Sequence, residues 1–401
     1  MKVFYITMQF PVPSETFASN DIKMLIAKGI DVQVFSLLRS LKESKKLIHE
    51  RSLQDVPISN STISKNLKGI FYGIISFRKT INIIKFIIKN NRKISEIIKS
   101  LILLPRILSI YQSIINNKPN VVHLFWGHYP SLIGYLILKY NPEIVLTTFL
   151  GAYDLEMKYK PSEVIAKNAS KVFTHAQVNV ITICDMGVKL DNICVSYRGV
   201  DINNLNNKGL LRKKAGRIVC AGRLIESKRI KEVIKIFSKV KNIFPFASLV
   251  ILGDGPQKHD LQKLAVQLGV SDSIQFKGHV SQKEVFADFL KSEIFIFMSK
   301  KKGERLPNVV KEAMLARSIC LVSETPGIGE LISDGITGYI IKGDIDEVAN
   351  KISYIFNNKQ ELIHIGLNAR NFIVNHFDIE KTIMDYINVW EDTLVNKKNV
   401  L

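Results

Sequence analysis

Two carboxylates, Glu304 and Glu312, stand eight positions apart in the stretch Gly303-Glu304-Arg305-Leu306-Pro307-Asn308-Val309-Val310-Lys311-Glu312-Ala313-Met314. Pro307 suits the first position of a helix, where its missing N–H costs nothing. The pattern predicts a turn that carries Glu304 and a helix that carries Glu312 more than a turn inside. A helix N-terminus attracts phosphate through its free N–H groups and its dipole. Two acids beside such an end suit a ligand both anionic and rich in hydroxyls, and a sugar nucleotide fits that description. The same spacing also occurs on solvated helices, so the weight falls on what surrounds the pair.

Other residues share this chemistry. Arg223 and Lys228 flank a strand–helix turn, either as a cation pair suited to an anionic ligand or as two solvated cations in a chain full of them. Gly253-Asp254-Gly255-Pro256 follows an apolar run; its glycines allow tight backbone beside a ligand, or simply a turn. Gly278-His279-Val280 follows another, and His279 either reaches a ligand or caps the turn. Asp344-Ile345-Asp346 spells a DxD, but it follows Gly343 and precedes a helical pattern, so it reads as helix capping and no metal is expected. Near the N-terminus, Ser14, Glu15 and Thr16 either line a binding floor or cap the helix after them. His128 is a candidate cleft residue or a structural histidine.

Elements that could position these groups follow a regular order. Lys2–Met8, Asp31–Leu37, Asn120–Phe125 and Glu143–Phe149 are Val/Ile-rich runs that read as buried strands, with Asp21–Ala27 and Tyr129–Tyr140 as helices. The alternation restarts at Arg217–Ala221 and continues through Ser248–Leu252, Ser273–Phe276, Ile294–Met298 and Ile319–Val322, with helices Arg229–Val240 and Gln257–Leu268 between them. This predicts an α/β protein of two doubly wound, Rossmann-like domains, with ligands at the carboxyl ends of the strands. The polar stretch Asn203–Lys214 suits a linker. The expected domains are 1–203, carrying a basic helical segment 39–118, then 204–377, then a C-terminal helix in 378–401 that packs back on the first domain.

With 401 residues the chain is long enough for two cores. Cys184, Cys194, Cys220 and Cys320 form no CxxC pair, which suits reduced thiols in a cytoplasmic protein and argues against a zinc site. No run is apolar enough to span a membrane, and the N-terminus reads as a strand rather than a leader. The net charge is +20 and uneven: from Arg39 to Lys118, 16 Lys/Arg face four acids, so +12 lies in that fifth of the chain. Within it, Ser64–Gln112 reads as a long helical stretch with Ile and Phe interleaved with Lys and Arg. Such a surface suits an anionic leaflet; the alternative is an AT-rich genome, which inflates Lys, Ile and Asn throughout the chain. Nucleic acid is not expected, because the stretch is aliphatic where base stacking needs aromatics.

In this order the motifs resemble the retaining glycosyltransferases of family four, which have the GT-B fold of two Rossmann-like domains facing a central cleft. The resemblance rests on Tyr197-Arg198-Gly199-Val200-Asp201, Ala221-Gly222-Arg223-Leu224 with Lys228, and Leu252-Gly253-Asp254-Gly255-Pro256. It continues through Gly278-His279-Val280, the Glu304/Glu312 pair, Pro326-Gly327-Ile328-Gly329-Glu330 and Asp334-Gly335-Ile336-Thr337-Gly338. It covers most of the chain and is strongest from Val195 to Tyr339.

What the resemblance implies is a nucleotide-sugar donor in the second half. Arg223 and Lys228 would clamp its diphosphate, Glu312 its ribose, and Glu304 would lie at the sugar. Gly253, Gly255, His279, Val280, Arg305 and Leu306 would complete the donor site, with no cofactor and no metal. Phe10-Pro11-Val12-Pro13-Ser14-Glu15-Thr16-Phe17 is similar to a turn of transferases that build surface polysaccharides, which puts Ser14, Glu15, Thr16, His128 and Asp154 on the acceptor side. The implied reaction moves a hexose, with retention, to a lipid-linked or polysaccharide acceptor in lipopolysaccharide, O-antigen or capsule assembly, at the inner face of the cytoplasmic membrane. One departure stands out: the histidine usual after the strand ending Thr147-Thr148-Phe149 is Leu150 here. That supports a second expectation, a degenerate domain that binds a nucleotide sugar or glycan without turnover.

Overall fold

The computed structural model describes residues 1–13, 15–203, 212–300 and 304–398. The chain divides into two compact units, Met1–Arg198 with Ile379–Leu401, and Gly199–Asp378.

The first unit is built on β1 (Lys2–Thr7), β2 (Asp31–Ser36), β3 (Ile58–Ser59), β4 (Val121–Phe125), β5 (Val145–Phe149), β6 (Lys171–Thr174) and β7 (Ile193–Val195), in the order β3-β2-β1-β4-β5-β6-β7. Every pair is parallel, and Val3 sits between Val32 and Val121 in register. Helices cover both faces, so these strands are apolar on both sides rather than alternating. One face buries Phe4, Ile6, Val122 and Leu124. The other buries Val3, Tyr5 and Phe125 under the last helix, Ile379–Lys398. That helix is anchored by Trp390, which donates from Nε1 to Thr147 Oγ1 at 3.2 Å, and by Tyr386, which stacks on Phe173 at 4.1 Å.

The second unit repeats the plan with β8 (Arg217–Ala221), β9 (Ser248–Leu252), β10 (Ile274–Gly278), β11 (Ile294–Phe297), β12 (Ile319–Ser323) and β13 (Tyr339–Ile341), in the order β10-β9-β8-β11-β12-β13. These pairs too are parallel. In each sheet the strand order reverses once, between β1 and β4 and between β8 and β11. A crevice opens at such reversals beyond the carboxyl ends of the strands.

Several elements differ from the sequence reading. β3, β6, β7 and β13 lie outside the strands read from the sequence; each has four residues or fewer. The first helix begins at Thr16, five residues earlier than Asp21. The stretch Ser64–Gln112 is three helices, Ile63–Ile75, Phe77–Asn90 and Ile94–Asn117. The first break falls where a side chain takes over a backbone carbonyl, Thr80 Oγ1 donating to Gly73 O at 2.9 Å; at the second, Asn91 Nδ2 joins its own N–H on Ile87 O, at 2.8 and 3.1 Å. The first and third of these helices approach closely because Gly69 faces Pro105; a Cβ there would lie 1.7 Å from the Pro105 carbonyl oxygen. Among the described residues, no helix is long and apolar enough to cross a membrane, and all four cysteines are free thiols.

Candidate functional site

In the second unit the switch point brings together the loops after β8 and β11. The loop after β8 carries Arg223 and then a short 3-10 turn, Glu226–Lys228, that leads into the helix Ile230–Ile243. Ser227 O accepts from Lys300 N at 2.9 Å, which ties this turn to the loop after β11. Lys228 pairs with Glu304 across the junction, both side chains largely buried. Its ammonium also lies 4.8 Å from the ring centroid of Phe297, the last residue of β11. Glu304 Oε2 is buried and has no hydrogen-bond partner among the described residues. A carboxylate oxygen held there by its paired partner is an acceptor waiting for a donor. Arg223 is exposed, and its guanidinium makes no ion pair among the described residues.

The helix after Glu304 spans Asn308–Leu315, and Pro307 is its N-cap rather than its first residue. Proline offers no side-chain oxygen, so no side chain caps this end, and its first N–H groups are left for a ligand or water. Glu312 is buried in the same helix and accepts from Gln282 Nε2 at 2.9 Å. Burial pushes its carboxyl from 4.5 up to about 7; Gln282 and Lys311 oppose this more weakly. Leu306 is buried and Arg305 half-buried; Gly303 lies outside the described residues.

Gly253 and Gly255 serve backbone approach. A Cβ on Gly253 would lie 1.9 Å from Gly222 O, and one on Gly255 would lie 2.5 Å from Leu224 O. The space beside them is filled by the loop after β8, stitched by Leu224 N to Asp254 O at 3.0 Å. His279 is exposed at the end of β10 and Val280 is half-buried. Asp344 accepts from Glu347 N at 2.8 Å, a helix cap.

The first unit places a second cluster at its own switch point. Glu15 follows β1 and accepts from Trp126 Nε1, after β4, at 3.0 Å. It makes no capping bond to the helix it precedes. Burial raises its carboxyl pKa, while Arg198 and Trp126 pull it down. The Arg198 guanidinium lies 3.8 Å from the Phe17 centroid and 4.1 Å from that of Phe149, a buried cation between aromatic faces. Thr16 is half-buried, and Ser14 lies outside the described residues. Arg51 donates to Val12 O at 3.0 Å and Pro13 O at 2.9 Å, which fixes the loop that presents Glu15.

Asp154 is committed to the backbone. Its Oδ1 accepts from Gly127 N at 2.8 Å and its Oδ2 from Gly151 N at 2.9 Å, joining the loops after β4 and β5. His128 Nε2 lies 3.5 Å from Asp154 Oδ1. Leu150 is fully buried against Leu155 and Ala166. An apolar core side chain therefore occupies the position where the resemblance leads to a histidine.

Sequence reasoning gave no role to Trp126, Gln282, Arg51 or Arg198. Arg198 stood in the quoted Tyr197–Asp201 motif, but nothing there reveals its aromatic partners. Among the described residues no group of three or more His, Cys, Asp or Glu is arranged to hold a metal ion.

Residues 201–372 match the family model described as "Glycosyl transferases group 1". The chain is 29% identical over 173 residues to the N-acetyl-alpha-D-glucosaminyl L-malate synthase of Bacillus anthracis, which covers 43% of this chain and 44% of that protein. It therefore spans less than half the length of that relative. It is 24% identical over 407 residues to the amylovoran biosynthesis glycosyltransferase AmsK of Erwinia amylovora, covering 94% of this chain and 96% of AmsK. Among solved structures it superposes on HepE of Anabaena in complex with UDP with a TM-score of 0.73 at 15% identity, covering 98% of this chain and all of that one. At that identity the likeness shows the fold, two Rossmann-like units of the GT-B type.

Proposed function

We propose that this chain is a glycosyltransferase that moves a hexose from a nucleoside-diphosphate sugar to a lipid-linked or polysaccharide acceptor in cell-surface glycan assembly. One observation carries the reading: the Lys228–Glu304 pair at the β8/β11 switch point, with Glu304 Oε2 lacking a partner, ahead of an uncapped helix N-terminus. The family match over residues 201–372, the name of AmsK and the UDP bound to HepE support it.

In this reading Glu312 and Gln282 hold the ribose hydroxyls. Arg223, Lys228 and the N–H groups of Asn308 and Val309 face the diphosphate. The C1–O bond of the donor breaks and its electron pair leaves with the diphosphate, where fixed cations stabilise the growing charge. Glu304 accepts from a sugar hydroxyl and steadies positive charge at C1. The acceptor hydroxyl oxygen bonds to C1 on the same face, and its proton passes to the leaving phosphate, which retains the anomeric configuration. No metal takes part. Glu15, His128 and Asp154 shape the acceptor side, Asp154 by fixing the Gly127 and Gly151 loops. The cationic and apolar helices between Ile63 and Asn117 lie on the inner leaflet where a lipid-linked acceptor would be found.

The buried Leu150 favours a second reading, a domain that binds the donor without turnover. One experiment separates the two. Thermal shifts with UDP, GDP, ADP and their hexose conjugates identify the donor. Mass spectrometry then follows the native protein and Glu304→Gln with that donor. Release of hexose by the native protein alone supports the transferase. A thermal shift with no turnover in either protein supports the binding domain, and no shift with any nucleotide refutes both.

A further inference from the structure

A pocket of about 420 Å3 lies in the first unit, away from its switch-point cluster. Its walls come from the helices Ile63–Ile75 and Ile94–Asn117 and from Ser59 at the end of β3. Three cations line it, Lys65, Lys68 and Arg106, with the amides of Gln112 and Asn116; no acid does. Spacing explains the convergence. Lys65 and Lys68 are one turn apart on the first helix, and Arg106, Ser109, Ser113 and Asn116 recur at three- and four-residue steps along the other.

Arg106 is 3% exposed, and its hydrogen-bond partners among the described residues are neutral: Nε donates to Ser36 O at 2.9 Å, and Nη2 to Ser59. Burial lowers its guanidinium to about 10, so it stays charged at neutral pH. Lys65 donates to Ser59 Oγ at 2.9 Å and Asn60 O at 3.1 Å. Its ammonium pKa is depressed, first by burial and then by Arg106 and Lys68. Like charges gathered around a partly desolvated space, with neutral partners only, stabilise an anion placed among them.

The surroundings indicate what carries the anion. Of 30 exposed large hydrophobic residues among those described, 13 lie within residues 63–102. Phe71 lines the pocket and is 65% exposed; Ile74 at 69% and Ile102 at 71% continue the apolar surface on the same two helices. From Ile63 to Asn117 ten Lys/Arg stand against Glu96 alone. An apolar ridge set among cations matches the interface of an anionic bilayer.

We infer that this pocket binds the phosphoryl head group of a membrane lipid, a phosphomonoester or diphosphate, while the ridge rests in the bilayer surface. Its role as an acceptor site rests on the transferase reading; the binding itself does not.

The test is flotation of the full chain with phosphatidylcholine vesicles doped either with phosphatidic acid, a lipid phosphomonoester, or with phosphatidylglycerol at matched total charge. The native protein should prefer phosphatidic acid. Lys65→Gln/Lys68→Gln should lose that preference, by roughly tenfold or more, and keep the weaker charge-driven binding. Lys85→Gln/Lys89→Gln removes the same charge from the neighbouring helix and should weaken both lipids alike. Equal binding to the two lipids, or loss of the preference in both double variants, overturns the inference. Inorganic pyrophosphate supplies the other arm. If it raises the melting temperature of the native protein but not of Lys65→Gln/Lys68→Gln, and the vesicles show no preference, the ligand is a soluble anion and the lipid assignment fails. The nucleotide-induced thermal shift should survive in Lys65→Gln/Lys68→Gln, which keeps failure of this site distinct from failure of the transferase reading.

Discussion

Replacing Glu312 by glutamine tests the donor site through its electrostatics. The carboxyl ionises near 4.5 in the unfolded chain and at about 7 when buried beside Gln282. A raised carboxyl pKa means that the folded state keeps its proton while the unfolded chain has lost it. The stability this group allows is present below 4.5 and is lost as pH rises through 7. From those two values the penalty, relative to a neutral side chain of the same shape, is about 1 kcal/mol at pH 5 and about 3 kcal/mol at pH 8. Glu312→Gln keeps an oxygen for Gln282 and removes the penalty. The variant should therefore melt about 2–4 °C above the native protein at pH 5 and about 6–12 °C above it at pH 8, for a unit of this size. Comparison at equal pH cancels the opposite contribution of Lys213, which burial lowers to about 7. Ligand binding gives the second arm. If the ionised carboxylate accepts the ribose hydroxyls, nucleotide affinity of the native protein falls as pH drops below 7, and that of Glu312→Gln is weak and flat. A melting difference that does not change between pH 5 and pH 8 would refute the electrostatic argument. Equal, pH-independent affinities would remove Glu312 from the ribose.

Three further outcomes are open to direct measurement. Arg223→Ala should lower kcat by about 10²-fold as well as weaken donor binding, because a cation on the leaving diphosphate acts most strongly in the transition state; an unchanged kcat would exclude that role. Gly253→Ala places a Cβ 1.9 Å from Gly222 O at a φ of 131°, so chemical denaturation should show a loss of about 2–4 kcal/mol; native-like stability would show that the two loops separate without cost. Ile74→Glu/Ile102→Glu should leave folding within about 0.5 kcal/mol, since both side chains are exposed, yet abolish flotation with anionic vesicles; native binding that also ignores salt would remove the membrane surface from the reading.

The long strands were legible because a parallel sheet covered on both faces demands continuous Val, Ile and Phe. Lys2–Thr7 and Ser248–Leu252 state that in their residues. The DxD at Asp344 was legible as a cap because capping is local, one side chain to an N–H three residues on. The break at Ser76 was not, because the helical period continues across it and only Thr80, folded back onto Gly73, marks the end. The stretch from Glu304 to Glu312 showed where chemistry could lie, since a proline-led helix start is also local.

What tertiary structure alone decided is which groups meet. Lys228 and Glu304 are 76 positions apart, Glu15 and Trp126 are 111 apart, and Gln282 and Glu312 are 30 apart. The first two pairs meet because reversal of strand order sets β8 beside β11 and β1 beside β4; the third meets because the helices Gln282–Lys291 and Asn308–Leu315 pack together. No local pattern records either pairing. Burial decided the rest. It removed Leu150 into the core, committed both oxygens of Asp154 to backbone N–H groups, and raised Glu312 toward neutrality. Each is a question of how much water a side chain keeps, and that is fixed by what folds over it.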